Sequence, residues 1–280
     1  VAFARGMEDG GVLSVMKHFP GHGSTTADSH LELPVINKSL QELKQYDFAP
    51  FQQYIDAGLG GCLTAHLYIP AIDKRRVPGT MSKAYVTNLL QKKMHFNGLI
   101  FTDALGMEGA KEVKGSVCVN AFLAGNDILL MPNEVGPEIA AIKQAIAAGK
   151  IKQKDVDARV KKILRFKYAL GLDTKPQIDL ANIVADINAP ESKVLQRKMV
   201  ASAVTVVKSA NDILPLKNLN NRKIAVVVMG NENGVKSMFA RRCTDYAEAT
   251  VFDYNRVGSL DALQQKIAKG GFNTVIVCVA

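Results

Sequence analysis

The stretch GLIFTDAL, Gly98–Leu105, decides the fold. Gly98 to Phe101 form an apolar run, too short for a helix and suited to a strand buried on both faces. Such strands belong to parallel sheets. The run then breaks into Thr102 and Asp103, so a carboxylate emerges where a buried strand ends. Three more runs share this character: VLSVMKHF (Val12–Phe19), GCLTAHL (Gly61–Leu67) and NDILLMP (Asn126–Pro132).

Helical patterns separate the runs. They are SLQELKQYDFAPFQQYIDAG, SKAYVTNLLQKKMHF, EGAKEVKGSVCVNAFLAG, PEIAAIKQAIAAGK and KDVDARVKKILRFKYALGL. Strand and helix in alternation imply parallel pairing with helices outside. Ser39, Ser82 and Asp155 occupy N-cap positions, and Gly58, Gly125, Gly149 and Gly171 occupy stop positions. The predicted class is α/β. Its first part reads as the C-terminal half of a (β/α)8 TIM-type barrel, because a whole barrel takes about 250 residues. A doubly wound open sheet is the alternative. Residues 1–171 form this partial barrel domain and 172–222 a linker with a helix, ESKVLQRKMVASA, and a short strand, AVTVVKS. Residues 223–280 begin a second α/β sandwich domain with strands KIAVVVMG, ATVFDYN and TVIVCVA. Its GNENG turn is not the glycine pattern of a dinucleotide site.

The 280 residues are 48% hydrophobic, enough for a core and against disorder. No apolar run has membrane-spanning length, and VAFARGMEDGG is no signal peptide. The chain opens without Met and stops inside a strand-like run, so both ends are expected to be cut from a longer protein. The four cysteines lack close spacing and read as buried free thiols. Much of the net charge of +9 lies in 143–167, on helices. With few aromatics and no nucleic-acid motif, it reads as a solvated helix face, and no nucleic-acid partner is expected.

Working residues of a βα barrel sit at the C-terminal strand ends. Lys17 and His18 end the first run, Thr64 and His66 the second, Thr102 and Asp103 the third. Asp127 begins the fourth and reads as structural. Asp103 is a nucleophile, a metal ligand or a helix N-cap. In KHFPGHGSTTADSH, Lys17–His30, Asp28 and His30 are two apart, on one side of an extended segment. A carboxylate there favours the protonated imidazole, so the pair can give and take a proton. Glycines and small residues would let this loop swing. The alternative is a surface pair without a role. His18 and His22 have zinc spacing, but Pro20 and Gly21 between them argue against a helix, and no metal is expected. Ser29 lacks a nucleophile elbow.

KHFPGHGSTTADSH together with GLIFTDALGMEGA resembles glycoside hydrolase family 3, in its β-N-acetylglucosaminidase branch. TAHLYIPAID, GNDILLMP, ARVKKILRFKYALGL and SAVTVVKSANDILPLK extend the resemblance over most of the chain. It implies that Asp103 is the nucleophile of a retaining glycosidase, His30 the acid/base and Asp28 its partner. Lys17 and His18 would hold sugar hydroxyls. His22 would shape the loop, and His66 and Met107 match positions near the site. No cofactor is implied. The implied substrate is a β-N-acetylglucosaminide from cell wall or chitin. The missing N-terminal half of the barrel would supply a sugar-binding Asp and Arg, and its absence would leave a sheet edge open. The second domain points to a periplasmic or extracellular protein rather than a cytoplasmic one. Other readings are a phosphorylase on the same site, a metal hydrolase using His18, His22, His30 and His66, and a non-catalytic sugar-binding domain.

Overall fold

Leu99–Thr102 is a strand, with Ile100 fully buried and Leu99 4% exposed, as its apolar run requires. A computed structural model describes residues 1–29, 31–174, 180–210, 213–230 and 238–279. Contacts divide the chain into two units, Val1–Ile178 and Asp179–Ala280.

The first unit is built on a parallel sheet in the order β1 (Val15–Phe19), β2 (Gly61–Thr64), β3 (Leu99–Thr102). Helix α1 (Ala2–Asp9) precedes it. Glu8 at its end accepts hydrogen bonds from Ser14 Oγ (2.5 Å) and the Gly60 N–H (2.9 Å), joining the starts of β1 and β2. Between β1 and β2 run α2 (Leu40–Glu42), a π-helical turn (Leu43–Asp47) and α3 (Ala49–Asp56). Ser39 caps α2 in a full capping box with Glu42. From α3, Phe51 and Tyr54 turn into the core; the Phe51 ring meets Phe19 of β1 edge-on at 5.3 Å. A π-type helix (Ala84–Lys93) crosses from β2 to β3 and buries Tyr85, Val86, Leu89 and Leu90. After β3 come α4 (Val117–Ala124), α5 (Val135–Ala147) and α6 (Gln153–Ala169). The predicted stop glycines Gly58, Gly125, Gly149 and Gly171 all have positive φ.

Three expectations change. Asn126–Pro132 is no regular strand; it makes one parallel bridge, Ile128 to Phe101. Side chains replace its ladder bonds. Asp127 Oδ2 accepts the Ile100 N–H at 2.9 Å, and Thr102 Oγ1 accepts the Leu130 N–H at 2.8 Å. Helix α6 starts at Gln153, so Asp155 lies in its first turn and not at the cap. Ser82, by contrast, keeps its cap: its Oγ accepts the Ala84 N–H at 3.2 Å and donates to Asp73 at 2.5 Å. AVTVVKS forms no strand among the described residues: the helix before it ends at Ala203 and the next residues are exposed.

β1 pairs only with β2 among the described residues, so its other edge is open. The register between them slips: Met16 faces Cys62 and Phe19 faces Thr64. One extra residue is therefore accommodated at Lys17–His18, a β-bulge. The Lys17–His18 and Phe19–Pro20 peptide bonds are cis.

In the second unit, α7 (Ile183–Ile187) and α8 (Pro190–Ala203) precede a parallel sheet. Its order is β5 (Ala249–Asp253), β4 (Ile224–Met229), β6 (Thr274–Val279). Helices α9 (Met238–Tyr246), α10 (Tyr254–Val257) and α11 (Leu260–Lys269) connect the strands. Both faces of β4 are buried, as the all-apolar IAVVV run demands. The GNENG turn after β4 lies, past Gly230, outside the described residues. The four cysteines are free. No helix among the described residues is long and apolar enough to cross a membrane.

Asp127, with its side chain 4% exposed, also takes Lys162 Nζ of α6 at 2.6 Å, so one carboxylate ties α6 to β3. Removing it in Asp127→Ala strands the Ile100 N–H and the Lys162 ammonium. The expected loss is roughly 2–3 kcal/mol of unfolding free energy, measured by urea denaturation.

Candidate active site

The C-terminal ends of β2 and β3 are held in register by Thr64 opposite Thr102, both buried. Thr64 Oγ1 donates to Asn126 Oδ1 at 2.9 Å, and the Asp103 N–H donates to the Thr64 carbonyl at 2.9 Å. Asp103 therefore leaves the sheet at a fixed point, half-buried.

The helix N-cap reading of Asp103 does not survive. A cap accepts from the N–H groups two or three residues on. Those of Leu105 and Gly106 are spent on the carbonyls of Leu130 (2.9 Å) and Met131 (3.0 Å). No α-helix starts here; a 3-10 turn follows only at Glu108–Ala110. Among the described residues the carboxylate accepts one hydrogen bond, from the Ala104 N–H to Oδ1 at 2.9 Å. Among the described residues Asp103 makes no ion pair.

His66 follows β2 and is fully buried. Its Nε2 lies 3.0 Å from the Ala104 carbonyl, which can only accept, so Nε2 carries the hydrogen. Nδ1 is buried without a hydrogen-bond partner. Burial pushes the His66 pKa down, while its bond to Ala104 and the charge of Asp103 oppose that shift. Met107, half-buried, donates its N–H to the same Ala104 carbonyl at 3.1 Å.

The Lys17–His30 loop is anchored in two places. At its start, Ser24 Oγ donates to Asp47 Oδ1 at 3.0 Å, and Lys38 Nζ bonds both Ser24 (2.6 Å) and Asp47 (2.7 Å). At its end, buried Ser29 places its hydroxyl 3.3 Å from His22 Nε2. The Ser29 carbonyl accepts the Gly109 N–H at 3.2 Å. A Cβ on Gly109 would sit 2.9 Å from the Ser29 oxygen, 3.0 Å from the Glu32 oxygen and 3.3 Å from His66 Cβ. The loop expected to swing is thus docked on the Asp103 segment. Sequence reading missed Gly109, although GMEGA was part of the quoted motif.

Asp28 is exposed on this turn, and its carbonyl accepts the N–H groups of Leu31 (3.0 Å) and Glu32 (3.1 Å). His30 lies outside the described residues, and so does the geometry of its expected pair with Asp28. Lys17 is exposed and His18 half-buried, both at the bulge of β1. The His18 and His22 rings meet edge-on at 5.9 Å. Among the described residues no three His, Cys, Asp or Glu side chains cluster as metal ligands. A cavity of about 460 Å³ lies at the opposite strand ends, lined by Glu8, Leu13, Gly60, Gly98 and Phe166. It has no part in this site.

Residues 1–166 match the family described as "Glycosyl hydrolase family 3 N terminal domain". Beta-hexosaminidase A of Pseudoalteromonas piscicida is 30% identical over 251 residues, covering 82% of this chain and 41% of that protein. The beta-hexosaminidase of Haemophilus influenzae is 41% identical over 136 residues, 48% of this chain and 38% of that protein. The chain spans about two fifths of the length of these curated relatives. Among solved structures it resembles a glycoside hydrolase family 3 beta-N-acetylglucosaminidase from Paenibacillus sp. str. FPU-7. The TM-score is 0.70 and the identity 22%, over 99% of this chain and 55% of that one. At that identity the likeness speaks for the α/β fold alone.

The neutral, buried His66 makes stability depend on pH. The unfolded chain takes up a proton near pH 6.5 that the folded ring resists, because its pKa is lowered. Stability present at pH 7.5 is therefore lost as pH falls through about 6.5. Urea denaturation at pH 7.5 and 5.5 should show this decline in the wild type. It should be smaller in His66→Gln, which has no such proton to bind.

Proposed function

The chain belongs to glycosyl hydrolase family 3, and from that premise we propose that it is a retaining β-N-acetylglucosaminidase. The observation that carries this reading is the state of Asp103. Its carboxylate stands at the end of a buried strand, with no helix cap or ion pair among the described residues, and the Asp28–Ser29 turn is docked on its own loop. The names of the relatives, both beta-hexosaminidases, support the reaction class. We read the three-stranded sheet as part of a (β/α)8 barrel with this site at its C-terminal mouth.

In the first step Asp103 attacks the anomeric carbon of a terminal β-linked N-acetylglucosamine. The bond to the leaving oxygen breaks, and His30 gives that oxygen its proton. In the second step His30 takes a proton from water, the water attacks the same carbon, and the ester to Asp103 breaks. Two displacements return the β configuration. Asp28, two residues from His30, favours the protonated imidazole that the first step needs. Lys17 and His18 hold sugar hydroxyls beside the bulge of β1. His22 braces the loop through Ser29. The substrate class is a cell-wall or chitin fragment, and neither step calls for a cofactor.

The intact protein should release the aryl group from an aryl β-N-acetylglucosaminide, with β-N-acetylglucosamine as the first sugar seen by NMR. Asp103→Ala should abolish turnover. His30→Ala should lower kcat/KM by about 10²–10⁴-fold on a poor leaving group. Wild-type rates in either variant would overturn the assignment. Sugar 1-phosphate formed only when phosphate is present would replace hydrolysis by phosphorolysis.

A further inference from the structure

The glycosidase reading leaves one buried group unused. His66 is fully enclosed, yet one of its two ring nitrogens has no partner among the described residues. An unsatisfied buried acceptor costs on the order of 1–3 kcal/mol. A residue kept only for stability would not be a ring with an orphaned nitrogen. Phenylalanine would fill similar space without that cost.

What the ring does hold is the Ala104 peptide. Nε2 donates to its carbonyl at 3.0 Å, and the N–H on the other side of Ala104 donates to Asp103 Oδ1 at 2.9 Å. The backbone of Ala104 is thus gripped between an imidazole and the carboxylate it orients. The same side chain has a second neighbour. Gly109 Cα packs so closely on His66 Cβ that an added Cβ would come within 3.3 Å, and the Gly109 N–H carries the Ser29 carbonyl of the acid/base turn. Asp103 and the turn are far apart in sequence, and His66 touches the supports of both.

We propose that His66 is a positioning residue that aims the Asp103 carboxylate through the Ala104 peptide. It touches no substrate and transfers no proton. The proposal rests on Asp103 being the nucleophile.

The test compares His66→Phe with His66→Gln in the intact protein. Gln carries an amide N–H where Nε2 stands; Phe keeps the bulk and loses the donor. A misaimed nucleophile costs up to about 10²-fold. His66→Phe should therefore lose about 10- to 100-fold in kcat with little change in KM, and His66→Gln should stay within about fivefold of wild type. Thermal stability at pH 7.5 should not fall in His66→Phe, because Ala104 keeps the Met107 N–H and the orphaned nitrogen is gone. Wild-type kcat in His66→Phe, or equal losses in both variants, would overturn the proposal. Should His66→Phe fail to fold, a kcat of His66→Asn as high as that of His66→Gln would overturn it instead. Activity in wild type and none in Asp103→Ala is established first. Without it the glycosidase reading fails, and hydrogen exchange of the Ala104 amide then decides for His66. The proposal expects protection in wild type and His66→Gln and its loss in His66→Phe; equal protection in all three overturns it.

Discussion

The N–H groups of Leu105 and Gly106 donate to the carbonyls of Leu130 and Met131, and the site depends on that commitment. Had those donors been free, the carboxylate of Asp103 would have turned back on them as a cap. Its charge would then be spent on the backbone. Because the backbone after Asn126 runs alongside and takes them first, the carboxylate keeps, among the described residues, only the adjacent Ala104 N–H. The irregular segment after Asn126 therefore shapes the chemistry as much as the strand that carries Asp103. Its irregularity has a cause in Asp127 and Thr102, whose side chains take the bonds a regular ladder would have used.

The same economy holds the loop. Ser29 is buried, so its hydroxyl and its carbonyl need partners. His22 meets the hydroxyl and Gly109 the carbonyl. A side chain at Gly109 would strike the Ser29 and Glu32 oxygens, so close approach of two backbones is what requires glycine there. At the other end Lys38 and Asp47 hold Ser24. The part of the loop between these two anchors is short, and motion of the turn has to break these bonds rather than merely flex glycines.

Much of this was legible in the sequence. The runs ending at Leu67 and at Leu105 contain strands because apolar residues buried on both faces have few other solutions; the run ending at Phe19 contains one too, although Val15 and Lys17 stay exposed. The strand ends put Lys17, His18, His66 and Asp103 at one edge of the sheet. The rest was hidden for specific reasons. NDILLMP has the composition of a strand, and only tertiary neighbours reveal that side chains replace its ladder. The bulge at Lys17–His18 depends on register with β2, which no local pattern encodes. Asp155 looks like a cap, yet the helix starts at Gln153 and takes it into the first turn. Gly109 has meaning only when Ser29 is folded onto it, a contact across eighty residues of chain.

That last contact bears on how the two halves of the site come to face each other. In a strand–helix alternation each catalytic group rides on its own strand end, and the sheet fixes only where the strands stop. The distance between a group on the first loop and one after the third strand is left to whatever lies between them. Here the second strand end lies between, in the middle of the sheet, and it carries His66. A small aliphatic residue there would leave the Ala104 carbonyl with Met107 alone. A charged one would have to be desolvated beside Asp103. A neutral imidazole has one donor to fix the Ala104 carbonyl, while its Cβ packs on Gly109. Its second nitrogen, left without a partner, is the cost of using a ring for a task that needs a single hydrogen bond.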